Sequence, residues 1–243
     1  MALDIAMIKK EHKSAKRLIL KIIPLVLIVL LIGYAIGNFF PVMEGSSSSG
    51  NPVTPTRVQI FLDDEPMLGD IDAPIVLIEF IDFQCPFCRS FYTETLGEME
   101  EEYIKTGKVL FIVKDFPIES IHAAAQKASE AVECANDQDL WKEMHDKIYE
   151  EQNKKGLGTI QFGVEEMKDW ATEIGLDSDI FNKCLDSGKY EQEVQQDFEE
   201  GVKLGISGTP YFFIGTQNLG YTSIVGAQPY SVFKQLIEAE LEN

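Results

Sequence analysis

Cys85 and Cys88 sit three positions apart in the stretch 80-FIDFQCPFCRSFY-92, wrapped in aromatics and placed directly after an apolar run. Two cysteines at this spacing can be half of a zinc site, a permanent clip, or a dithiol that makes and breaks a disulfide. Zinc needs about four ligands, usually two such close pairs or added histidines. Here the other cysteines, Cys134 and Cys184, are isolated, and only three histidines exist in the chain. A permanent clip over so short a loop adds little chain entropy, and such pairs are usually reactive. The redox reading has a mechanism. Cys85 falls at the start of an expected helix, where free backbone N–H groups and the positive end of the dipole favour a thiolate. Pro86 suits the first turn, because the N–H it lacks would be unpaired there. Cys88, one turn further in, is expected to be more buried and to attack a mixed disulfide formed at Cys85, since the thiolate is the attacking species.

Several elements must hold this pair. The run 75-IVLIEFI-81 is nearly all apolar, as in a strand buried on both faces. A possible first edge strand precedes it at 58–62. Phe87, Phe91, Leu96, Met99 and Tyr103 follow a helical period from the cysteines, and Gly107 is placed to end that helix. A second β-rich run, 108-KVLFIVKDF-116, completes a βαβ unit with parallel strands. From 120 to about 204 the pattern is helical. It includes a small-residue stripe of Ala124, Ala128, Ala131 and Ala135, and further helices are expected near 164–174, 178–187 and 190–204. The end returns to strands at 211–215 and 222–226 and a helix from about 230 to 241. Glu79 is an acid inside a buried strand, where burial without a partner raises a carboxyl pKa. It is therefore a candidate to take the Cys88 proton, with a paired structural carboxylate as the alternative. Asp82, nearer the strand end, reads as structural.

The first 56 residues carry other signals. Residues 22–40 form 19 consecutive uncharged positions, which as a helix span roughly 28 Å, close to the hydrocarbon thickness of a bilayer. That run is longer than the apolar core of a cleavable signal peptide, so 18–40 is expected to be a transmembrane signal anchor. Six Lys and Arg residues precede the uncharged 22–40 run and none follows until Arg57. Residues 1–17, with His12, are thus expected on the cytoplasmic side and the remainder outside. The stretch 41–56, with its 45-GSSSSGNPVTPT-56 core, reads as a flexible tether with a reach of very roughly 20–25 Å. Residues 1–44 hold 6 basic and 3 acidic side chains, which leaves 15 basic and 37 acidic beyond them, a net of −22. So acidic a domain is repelled by nucleic acid and by anionic lipid.

The string 79-EFIDFQCPFCRSFY-92, the helical insertion, and 205-GISGTPYFFIG-215 together resemble the DsbA-like thiol:disulfide oxidoreductases of the thioredoxin superfamily. The resemblance covers 57–243 and implies an α/β thioredoxin-like fold, β-α-β then β-β-α, with a helical insertion at about 120–204, preceded here by one transmembrane helix. It implies that Pro210 is a cis-proline facing the cysteines, and that the backbone of Thr209 pairs with a substrate chain as an added strand. Phe83, Phe87 and Tyr211 are candidates for an apolar substrate groove. The implied activity is insertion of disulfides into exported, unfolded polypeptides, with no cofactor and with reoxidation by a quinone-linked membrane thiol oxidase. The tether raises the domain's local concentration near both partners. A monomer is expected. One departure concerns direction. The best-known oxidising members carry a histidine between the cysteines, and Phe87 occupies that place, so a reductase with the same site stays open. An isomerase is disfavoured, since 41–57 is too short for a dimerisation region. A third reading is a chaperone-like binding module in which the cysteines are incidental. In an outward-facing domain Cys134 and Cys184 are expected to pair, closing a loop of roughly 50 residues, with free buried thiols as the alternative. His122, His145 and Trp141 read as packing residues.

Overall fold

The computed structural model describes residues 57–62 and 65–242. The expected anchor at 18–40 and the tether at 41–56 lie outside the described residues. Among the described residues no helix is long and apolar enough to cross a membrane.

Strand β1 is Met67–Leu68, β2 is Ile75–Ile81, β3 is Val109–Asp115, β4 is Tyr211–Thr216 and β5 is Gly220–Val225. They form one sheet in the order β1-β3-β2-β4-β5. The pair β2–β3 is parallel, and the other three pairs are antiparallel. Every residue of β2 and β3 is buried, which is why both read as near-continuous apolar runs. The expected edge strand at 58–62 is not there. Only Val58 forms a bridge, to Tyr221 of β5, and the strand beside β3 is Met67–Leu68 instead. The alternating apolar residues 58 and 60 still serve packing: Ile60 is buried and belongs to the core on one sheet face.

Between β2 and β3 runs helix α1, residues 86–104. It begins α-helically at Pro86–Phe91 and contains two turns of wider π-helical bonding, Tyr92–Leu96 and Glu100–Ile104. Gly107, with φ of 72°, ends it as the sequence suggests. The insertion comprises α2 (Ala125–Asn136), α3 (Trp141–Lys155), α4 (Val164–Glu173), α5 (Ser178–Ser187) and α6 (Glu191–Lys203). Helix α7, Tyr230–Leu241, closes the described chain. Strand alternation puts Ile75, Leu77, Glu79 and Ile81 on one face of β2, toward the core that includes α1, most of the insertion and Phe233 of α7. Val76, Ile78 and Phe80 face a smaller second core with Phe116, Phe198 and Leu204. Ala128, Ala131 and Ala135 are fully buried in α2, as a small-residue stripe requires. Cys134 of α2 and Cys184 of α5 are joined by a disulfide, with Cα atoms 5.9 Å apart.

Candidate active site

Helix α1 starts where the most buried strand ends. Asp82 directly follows β2, and its carbonyl accepts from the Cys85 N–H at 3.0 Å, turning the chain into the helix. Cys85 is the N-cap, with extended φ and ψ of −72° and 125°, and Pro86 takes the first turn. Cys85 and Cys88 are free thiols in this structure. The Thr209–Pro210 bond is cis and faces them: the Cys85 thiol lies 3.4 Å from the Thr209 carbonyl. The structure thus brings Cys85, Cys88, Thr209 and Pro210 together from two strand ends more than 120 residues apart.

Electrostatics separates the two thiols. The Cys85 thiol is pulled down to about 6, first by the hydrogen bond it receives from the Cys88 side chain. Burial opposes this. The Thr209 side chain and the Phe87 and Cys88 backbone N–H groups add to the lowering. The Thr209 hydroxyl is buried and has no other hydrogen-bond partner. Cys88 is wholly buried, and burial pushes its thiol well up, with the bond to Cys85 acting in the same direction. Glu79 lies on the same face of β2 between Val113 of β3 and Phe212 of β4. Neither carboxyl oxygen has a hydrogen-bond partner. Burial, and then the charge on Cys85, raise its pKa well above the usual carboxylate range. Glu79 in turn adds to the rise at Cys88.

Phe87 is 65% exposed beside the pair, and Tyr211 is half-buried. Phe83 is a correction to the expected groove. It is fully buried between Tyr149, stacked at 5.8 Å, and the edge of His145 at 5.7 Å, so it offers no surface to a ligand. Helix α3 covers this side of the turn: it supplies both His145 and Tyr149 against the ring, and its Gln152 donates to the Phe83 carbonyl at 2.7 Å. His145 packs edge-on against Phe83, Tyr92, Trp141 and Tyr149, and burial lowers its pKa. His122 bonds Asp82 at 2.8 Å, and Trp141 is buried with its indole N–H on the Met67 carbonyl.

Three residues of the site carry no motif. Asp82 accepts from Gln84 N, Ile118 N and His122 Nδ1, fastening the loop after β3 to the turn before Cys85. Gln84, fully buried, accepts from Ala124 N and donates to the Ile160 carbonyl, gripping the insertion at both sides. Arg89, next to Cys88, donates to the Gly158 carbonyl at 2.9 Å. An amide among aromatics, as Gln84 stands in 80-FIDFQC-85, is the one advance signal, because a buried amide must find partners.

A sheet of this order, with a dithiol at the start of the helix that follows its central strand and a cis-proline opposite, defines the thioredoxin fold. The chain matches the family model described as Thioredoxin over residues 62–239 and belongs to that family. A probable disulfide bond formation protein D of Bacillus anthracis is 30% identical over 158 residues, covering 60% of this chain and 68% of that protein. The protein of the same description from Bacillus cereus is 26% identical over 213 residues, covering 83% and 89%. The crystal structure of alpha-DsbA1 from Wolbachia pipientis superposes with a TM-score of 0.63 at 25% identity, covering 74% of this chain and 92% of that one. Within the family this chain is a thiol:disulfide oxidoreductase.

Proposed function

We propose that the protein introduces disulfides into exported, still unfolded polypeptides, using Cys85–Cys88 as the exchanging pair, from an extracytoplasmic position tethered by its own helix at 18–40. The observation that carries this reading is the asymmetry of the two thiols, one at about 6 and the other pushed well up, beside a buried carboxyl whose raised pKa makes its carboxylate form a stronger base. A client thiolate attacks Cys85 in the disulfide form. The Cys85–Cys88 bond breaks, a mixed disulfide forms, and the pair's electrons leave on Cys88, which takes up a proton. The client's second thiolate attacks the client sulfur of the mixed disulfide. Cys85 departs as a thiolate, and two electrons have moved from client to enzyme. Its low pKa makes it a good leaving group. In reoxidation Cys85 attacks a partner disulfide, and Cys88 gives its proton to Glu79 as it resolves the intermediate. A quinone-linked membrane thiol oxidase is the partner class that fits. The Thr209 backbone beside cis-Pro210 is the natural edge for a client strand, with Phe87 as its apolar contact. The protein acts as a monomer, and Cys134–Cys184 is structural.

A Cys88→Ala variant accumulates a client–enzyme mixed disulfide through Cys85, seen as a reducible adduct, whereas Cys85→Ala forms none. Equal adducts from both variants overturn the assigned roles. Client maturation that survives Cys85→Ala overturns the redox reading in favour of a binding module. That alternative has already lost part of its groove, since Phe83 is buried. One observation favours electron flow in the opposite direction: Phe87, between the cysteines, carries no charge with which to stabilise the Cys85 thiolate.

A further inference from the structure

Five stretches meet around Cys85: 83–88, 120–124, 156–163, 205–210 and 225–229. Hydrogen bonds make them one face. Cys85 Sγ meets the Thr209 carbonyl, Gly226 N donates to the Pro210 carbonyl, and Gln84 links Ala124 N to the Ile160 carbonyl. None of these 30 residues is Asp, Glu, Lys or Arg, although a quarter of the chain is charged. Phe87, Ile121, Leu157 and Val225 stand out from the face, each more than half exposed. Two charged side chains lie just beneath, Arg89 on the Gly158 carbonyl and Asp82 on His122, one of each sign. At the margin Lys154 is paired with Glu151 and Lys155 with Glu166. The rest of the domain is strongly acidic, with 15 basic and 37 acidic residues in 57–243.

A neutral face on such a body supplies no counter-charge to a ligand that docks on it. The Debye length is about 30 Å at 10 mM salt, so at low salt the acidic excess of the whole domain acts on a ligand held at Cys85, and at high salt it is screened. A net field of one sign changes the approach of charged partners by roughly 10- to 10³-fold. We propose that this face selects exchange partners by charge. It favours neutral or basic polypeptide segments at Cys85 and slows exchange with anionic thiols and disulfides of the glutathione class. This rests on the reading of Cys85 as the exchanging sulfur. With a small disulfide as oxidant, the Cys85 thiolate attacks one sulfur, the S–S bond breaks, and one partner thiolate leaves with the electron pair. Cys88 then loses its proton and attacks Cys85 Sγ, expelling the second thiolate and closing Cys85–Cys88. The repulsion acts on the first step, where a thiolate must meet an anionic disulfide.

The test uses the full chain in its dithiol form and three disulfides: cystamine with two positive charges, bis(2-hydroxyethyl) disulfide with none, and oxidised glutathione with a net of two negative. Second-order rates are divided by those of mercaptoethanol, which removes intrinsic reactivity. At about 10 mM salt the normalised rate is expected to fall from cystamine to glutathione by at least about tenfold, and the ratio to collapse toward one at about 500 mM. Matched peptides with Lys or Glu flanking their disulfide should rank the same way. Thr159→Lys, which adds a cation to the exposed face, should raise the glutathione rate relative to cystamine. Equal normalised rates, or a ratio indifferent to salt, overturn charge selection while leaving Cys85 as the exchanging sulfur. Failure to react with any of the three overturns that reading as well.

Discussion

Cys85 and Cys88 are the same side chain one helical turn apart, and environment makes them different reagents. Cys85 titrates near 6 because the Cys88 thiol and backbone N–H groups at the start of the helix favour its thiolate. The folded value is depressed from 9.0, so the stability it gives the dithiol form is fully present above pH 9 and is lost as pH falls through 6. Three units at about 1.4 kcal/mol each make this about 4 kcal/mol. Between pH 6 and 9 the dithiol form should therefore gain stability against unfolding relative to the disulfide form. Cys85 alkylation by iodoacetamide should rise with a midpoint near 6, and a midpoint near 9 would remove the proposed asymmetry. Glu79 has the opposite sign. Its folded pKa is raised, so the native state keeps a proton that the unfolded chain releases, and stability declines as pH rises above the ordinary carboxyl range. Glu79→Gln should flatten that decline in a pH series of urea melts. It should also slow Cys88 attack on the mixed disulfide by about 10²-fold in rapid-mixing kinetics. A variant with wild-type closure rates would leave Glu79 a purely structural acid. The sequence marks Glu79 through one charge in a seven-residue apolar run, but its lack of hydrogen-bond partners emerges only once β3 and β4 flank it.

At the scale of elements, the active site depends on how the insertion is fastened to the sheet. Gln84 holds the first residue before α2 and the connection between α3 and α4 with one side chain. Gln84→Ala leaves the buried Ala124 N–H and the half-buried Ile160 carbonyl without this partner, a cost on the order of 2–4 kcal/mol, measurable by denaturant melts. Gln84→Glu keeps only the bond from Ala124 N and should fall between the two. If Gln84→Ala melts like the wild type, the grip is not structural. Much of this layer is legible in sequence. The apolar run at 75–81, the period of Phe91, Leu96 and Met99, and the alanine stripe each encode one element through local spacing. The misreadings share a cause. The 58–62 segment alternates as a strand does, but β5 offers it only the Tyr221 backbone, and pairing depends on an edge far along the chain. Lys114 inside β3, on which the sequence gives no reading, depends on distant partners in the same way. It is buried because Glu65, Asp197 and Glu200 converge on it, and no local pattern announces partners 49 and more residues away. Burial and its Asp197 and Glu65 neighbours act on it in opposite senses, and the carboxylates win, holding its pKa up.

Across the whole molecule, one covalent link and one redox pair divide the work. Cys134–Cys184 closes a 50-residue separation between α2 and α5, which in the chain-entropy model contributes about 4 kcal/mol. A Cys134→Ala/Cys184→Ala double variant should lose roughly that much stability by denaturant melts while keeping the Cys85 titration near 6. A shift of that midpoint toward 9 would tie the two cysteine pairs together. The pairing could be anticipated from sequence by remainder alone, whereas the burial of Phe83 could not, since an aromatic next to a reactive motif looks the same exposed or enclosed. Direction of electron flow is a property of the entire domain, because it compares the stability of the dithiol and disulfide forms. A Cys85 thiolate near neutral pH stabilises the dithiol form and should make the disulfide a readily donated one, even with the uncharged Phe87 between the cysteines. The most direct measurement is the equilibrium reduction potential of the Cys85–Cys88 pair in the full chain, across a glutathione buffer series at pH 7. An oxidase that donates disulfides should lie above about −180 mV. A value near about −270 mV, the thioredoxin range, would contradict that direction and make the protein a reductant.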